Sequence, residues 1–153
     1  MRRLLFLAAA GALLVTLPAV AANATPPTDV VIVSPLDLNT GTGTFALTED
    51  GGEVLCDEGS VENLLTRFVG DRSDSHAQIL VSHEFTCDDG SGSFLLSLRV
   101  RLDFATGNTS GSWSVLDGTG DFAKLHGSGS VVGTLTCGPD CILDTYTGGV
   151  HIN

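Results

Sequence analysis

A chain of 153 residues with 19 glycines, a formal net charge of −11 and one methionine suits one domain and holds few residues that favour helix. It lacks the basic face that nucleic acid or an anionic membrane surface requires, so neither is expected as a partner. The acidity reads as a means of staying soluble, with cation binding as the alternative.

Arg2 and Arg3 open the chain, followed by an apolar run from Leu4 to Val15, then Pro18, then small-residue sites at Ala19-Val20-Ala21 or Ala22-Asn23-Ala24. A positive start, a short apolar segment and an A-x-A site form the pattern of a secretory signal peptide. Residues 1–24 are therefore expected to be removed, leaving 25–153 as a single exported domain. The run is shorter than the roughly 20 residues of a membrane-spanning helix. No later segment is apolar for long enough, so no membrane span is expected after cleavage. A domain of this size folds without a cofactor, and none is expected.

Thr25 to Asp29 is a linker. Asp29–Ser34 (DVVIVS) is β-branched and reads as a first strand, and 41–48 (GTGTFALT) as a second. An acidic loop, 49–59, leads to a third strand at 60–69, whose register is ambiguous. One phase turns Glu62, Leu64, Thr66 and Phe68 inward; the other turns Val61, Asn63, Leu65 and Arg67 inward. His76–Cys87 is the fourth strand, with Ile79, Val81, His83 and Phe85 in one phase. Gly92–Phe104 is the clearest: Phe94, Leu96, Leu98, Val100, Leu102 and Phe104 alternate with more polar positions. Period two over that length means one face in a core and one in water. Strands at 110–116 and 127–136 flank a glycine-rich turn with one short coil of helix, and 142–152 is the last strand.

Eight strands joined by short turns imply antiparallel neighbours. The expected fold is an all-β, eight-stranded antiparallel up-and-down barrel, which leaves no exposed edge. A two-sheet β-sandwich is the alternative. In the barrel, alternate loops share a rim, which brings Cys56 beside Cys87. Four cysteines in an exported domain form disulfides, and the expected pairs are Cys56–Cys87 and Cys137–Cys141. Their spacing does not suit a zinc site, and no metal is expected. Glu49, Asp50, Glu53, Asp57, Glu58, Asp88, Asp89, Asp117 and Asp121 gather on the rim that holds Cys56 and Cys87. Asp and Gly are turn residues, so solvated turns explain them without calcium.

No nucleophile elbow, phosphate loop or zincin helix is present. The polar feature inside the barrel is His83, on the apolar face of the fourth strand. A histidine beside a carboxylate can act as acid or base. The candidate catalytic residues are therefore His83 with Glu62 or Arg67, one of which each third-strand register turns inward. Trp113, Phe85, Phe94, Leu96, Leu98 and His83 are the candidate ligand-lining residues. His76, His126, His151 and Glu84 read as surface or turn residues.

The run DGTGDFAKLHGSGSV, Asp117 to Val131, resembles an element of the allene-oxide-cyclase-like and dirigent-like β-barrels, which carry a GGTGxFxGxxGxG run between two late strands. The stretch Phe85 to Phe94 (FTCDDGSGSF) is similar to the FxCxDGSGxF of secreted actinobacterial members. The resemblance covers roughly Phe85 to Thr136 and departs at Lys124, where a small residue is usual. It implies a barrel, and for the plant members an apolar interior that cyclises an epoxide or orients radical coupling; no catalytic residue carries over. The expected function is binding of a small apolar molecule in the barrel. The alternatives are an isomerase or cyclase acting in the cavity and a structural, self-associating envelope protein. The sequence leaves the ligand and the oligomeric state open.

Overall fold

The computed structural model describes residues 26–49 and 54–153, and for residues 71 and 72 the backbone only. The segment read as a signal peptide, and Asp50 and Glu53 of the acidic loop, lie outside the described residues. The strands are β1 (Thr28–Asp37), β2 (Thr42–Glu49), β3 (Glu58–Arg72), β4 (His76–Cys87), β5 (Ser93–Asp103), β6 (Thr109–Gly118), β7 (Leu125–Thr134) and β8 (Cys141–Ile152). One 3₁₀ turn, Gly120–Phe122, joins β6 to β7. Each strand pairs antiparallel with the next, and β8 returns to β1 through ten partnered positions from Thr28↔Val150 to Asp37↔Cys141. The sheet is a closed eight-stranded barrel, which excludes the sandwich.

Alternation builds the interior. β4 turns Ala77, Ile79, Val81, His83, Phe85 and Cys87 inward, and β5 turns Phe94, Leu96, Leu98 and Val100 inward, all of them buried. At eight strands the bore is just wide enough for side chains to fill.

Three local features depart from the sequence reading. First, β1 runs through Pro35, which has no donor and was expected to end the strand. Pro35 pairs in register with Leu143 of β8, and the strand continues because Leu36 beyond it is buried. Second, β3 uses both of its possible phases. A bulge between Asn63 and Leu65 sets Asn63 opposite His83 and Thr66 opposite Val81. Val61, Asn63, Thr66 and Phe68 thus stand opposite the inward positions of β4, although Phe68 is exposed, while Glu62 and Arg67 pair with the outward Glu84 and Leu80. A single alternation cannot describe a strand that contains an extra residue. Third, β5 stops one residue before Phe104. Asp103 Oδ1 accepts hydrogen bonds from the N–H groups of Ala105 (2.9 Å) and Thr106 (3.1 Å), which turns the chain out of the sheet. This is the local competition with the ladder at which Asp excels.

β2 accompanies β3 only from Ala46↔Glu58 to Thr42↔Glu62. From Leu64 onward β3 is hydrogen-bonded to β4 alone among the described strands, and its second irregularity, between Phe68 and Arg72, bends this edge. Bulges of this kind disfavour edge-to-edge pairing.

The two ends of the barrel differ. The β2–β3, β4–β5 and β6–β7 connections form one end, tied by the Cys56–Cys87 disulfide. The other four connections form the opposite end, where Cys137–Cys141 closes the β7–β8 turn. Both expected pairings are present.

Candidate functional site: a half-filled barrel with a polar floor

The end that carries Cys56–Cys87 is filled. Phe85 and Phe94 stack in parallel, ring centroids 5.0 Å apart. Phe45 meets both edge-on at 5.2 and 6.0 Å. Phe122, carried over this end by the 3₁₀ turn, meets Phe94 edge-on at 5.6 Å. Leu55, Cys56, Cys87 and Leu125 complete the seal. Such edge-to-face and stacked arrangements add to the burial energy of the rings.

The opposite half is not filled. A cavity of about 230 Å³ opens there, walled by Leu36, Ile79, Val81, Leu98, Val100 and Ile142, with Leu38 and Gly107 at its mouth. Its wall is mainly apolar. The polar side chains on it are Asn63, Thr66, Thr109, His83 and Asp144, and the last two form the floor, where the cavity meets the aromatic column.

Tyr146 joins these two. Its hydroxyl lies 2.7 Å from His83 Nδ1 and 3.5 Å from Asp144 Oδ2. All three are buried: Tyr146 is 0 % exposed, His83 3 % and Asp144 5 %. Burial governs their charge, since a low-dielectric surround penalises the ionised form. It lowers His83 from 6.5 to about 4. It raises Asp144 from 3.8 to about 7, against the downward pull of the Tyr146 hydrogen bond. It pushes the Tyr146 phenol well above its ordinary 10.0, helped by the charge of Asp144. The resting floor near neutrality is a neutral imidazole, a phenol and a carboxyl that titrates there.

The backbone makes room for this group. Gly133 of β7 lies beside Asp144 of β8, and the space a Cβ would take is occupied by Asp144 Oδ1 and Thr109 Oγ1. Ser34, opposite Asp144 on β1, is committed elsewhere, its hydroxyl donating to the Thr44 carbonyl at 2.9 Å.

The sequence-derived candidates divide accordingly. His83 and Leu98 line the cavity. Phe85, Phe94 and Leu96 belong to the buried core, with the two rings part of the aromatic seal. Trp113 is buried with its indole N–H donating to the Ser130 carbonyl at 3.0 Å. Glu62 and Arg67 are exposed on the outer face of β3 and do not meet His83. The turn at Gly118–Gly120 is at the sealed end. The surface histidines include one exception: His151 stacks on His126 at 5.6 Å and keeps a buried Nδ1 that has no partner among the described residues.

Asp144 and Tyr146 were missed. The available signal was the alternation Ile142, Asp144, Tyr146, Gly148, Val150 along the last strand, which puts a carboxylate in phase with the core. The two disulfides fit an oxidising compartment, and among the described residues no helix is long and apolar enough to cross a membrane. Comparison of the chain with protein-family models, curated proteins and solved structures gives no match, so the site stands on its own geometry.

Proposed function

We propose that the barrel is a binding module for a small, mainly apolar molecule that enters at the mouth and rests its single polar group on His83 and Asp144. The observation that carries this is the asymmetry of the filling: one half is sealed by aromatic rings, the other is an apolar cavity with polar groups only at its floor and fringe. Ligand pockets typically combine an apolar wall with a few placed polar groups. At about 230 Å³ the cavity lies below the roughly 300–1,000 Å³ of drug-sized sites, which selects a single ring or a short branched chain. We further infer that the chain is exported, on the strength of its disulfides and its N-terminal segment. Kinship with the allene-oxide-cyclase-like and dirigent-like barrels is supported by the closed barrel and by the place of the glycine run between β6 and β7.

The test is protein NMR with single-ring molecules such as cyclohexanone, phenol and toluene at millimolar concentration. Shifts confined to Ile79, Val81, Leu98, Val100 and Ile142 are expected, and they should disappear in Val100→Trp, which occupies the cavity. If none of these molecules moves the cavity signals of the wild-type protein, the binding reading fails.

A further inference from the structure

The floor of the cavity holds more than a binding group needs. His83 spends Nδ1 on Tyr146, and its Nε2 has no partner among the described residues although the residue lines the cavity. Asp144 faces the cavity too, while its Oδ2 turns to the same phenol. One hydroxyl thus connects an imidazole and a carboxyl that both border the same apolar space. Resting on the binding reading above, we propose that His83, Tyr146 and Asp144 form a proton relay that interconverts the keto and enol forms of a small apolar ketone or aldehyde bound in the cavity.

The protons balance without net charge. The phenol donates to Asp144 Oδ2 when that carboxyl is ionised; with Asp144 protonated on Oδ2 the bond turns round, so that Oδ2 donates to the Tyr146 oxygen, Tyr146 donates to His83 Nδ1, and His83 carries its proton on Nε2, facing the substrate carbonyl. The α-carbon of the substrate gives its proton to Asp144 Oδ1. The Oδ2 proton moves to Tyr146, the phenolic proton moves to Nδ1, and the Nε2 proton moves to the carbonyl oxygen. The C–H electron pair becomes the C=C bond, and the C=O π pair becomes the new O–H bond. The product is the enol, with His83 in the Nδ1–H form and Asp144 protonated on Oδ1. The reverse passage restores the ketone. Every group stays neutral throughout, which suits a site where ionisation is penalised. The 3.5 Å separation between Tyr146 and Asp144 is the long spacing common in unliganded sites, where catalytic hydrogen bonds tighten on binding.

The relay has a defined pH window. It requires His83 neutral, hence pH above about 4, and Asp144 protonated, hence pH below about 7. The positions that face these groups across the sheet do not titrate: Asn63 and Leu96 flank His83, Ser34 and Gly133 flank Asp144, and Ile32 and Val131 flank Tyr146. Among the described residues no other ionisable side chain faces the interior.

Cyclohexanone in deuterated buffer is the probe. Its α-hydrogen exchange is followed by NMR, while its binding is read from the cavity signals of the same sample. Wild-type protein is expected to exchange it about 100-fold faster than Tyr146→Phe, the lower end of what positioned acid–base groups deliver, with a plateau between about pH 4 and 7. Tyr146→Phe should still bind the ketone. Asp144→Asn, which cannot return a proton, should lose the exchange to the same extent, and that loss decides the matter should Tyr146→Phe not fold. Binding without exchange above buffer, or exchange that survives both substitutions, overturns the relay and leaves the binding reading standing. No binding and no exchange overturns both.

Discussion

Asp144 is held with its proton at a pH where the unfolded chain has lost it. Its folded value, about 7, lies above its ordinary 3.8. The stability linked to that proton is therefore fully present below pH ~4 and is lost as pH rises towards 7. At about 1.4 kcal/mol per unit, the shift amounts to at most ~4 kcal/mol. His83 runs the other way: lowered from 6.5 to about 4, it costs stability as pH falls through that interval. Asp144→Asn is thus expected to match the wild type near pH 4 and to exceed it by up to ~4 kcal/mol at pH 8, read from urea denaturation. His83→Gln should gain at pH 4 and nothing at pH 8. Flat differences across that range would mean that both groups titrate as if exposed. The identity of this carboxylate was hidden in the sequence because Asp144 stands among Thr145, Thr147 and two glycines, where the apolar alternation of β8 is faint. His83 was visible because Ile79, Val81 and Phe85 surround it in phase.

At the scale of elements, β6, β7 and β8 are shaped around one indole. Trp113 is in register with Gly129 of β7, which in turn faces Gly148 of β8. A Cβ on Gly148 would stand 2.7 Å from Trp113 Cζ2 and would also overlap the Ser128 carbonyl. The side chain can shift; the paired backbone cannot. Gly148→Ala is expected to lower stability by roughly 1–3 kcal/mol, the usual cost of overpacking a filled core, seen as a lower urea midpoint at unchanged slope. An unchanged midpoint would mean that β7 does not pair this closely with β8 at Gly148. The alternation of β4 and β5 announced their inward faces in the sequence. β3 was not legible in the same way. Its sequence carries apolar side chains in both phases, from Val61 to Phe68, and only the register imposed by β4 places the bulge that turns Glu62 and Arg67 outward. A pattern that is locally degenerate is decided by its neighbour in the sheet.

For the molecule as a whole, loop parity sorts the chain into two ends with separate duties. The cysteines and carboxylates on the even connections were enough to define one end from the sequence. Which end is open depends on where the large rings fall along each strand. Phe45, Phe85 and Phe94 lie near the strand ends that carry Cys56–Cys87, and Phe122 caps them, whereas the smaller Ile79, Val100 and Ile142 lie toward the other. Stability and binding should therefore separate. The Cys56–Cys87 link spans 31 positions and is expected to contribute roughly 3–4 kcal/mol through the unfolded chain. Replacing both cysteines by Ala should lower stability by about that amount and leave the affinity for cyclohexanone within about twofold, because the cavity wall and floor lie in the other half; two changes at separate sites are additive when they share no partners. Val100→Trp should do the reverse, abolishing binding with little loss of stability. Calorimetry and NMR titration of the two variants check this. Loss of binding in the cysteine variant while it remains folded would show that the sealed end sets the shape of the floor, through the Phe85–Tyr146 contact at 5.5 Å, and that the two halves act as one.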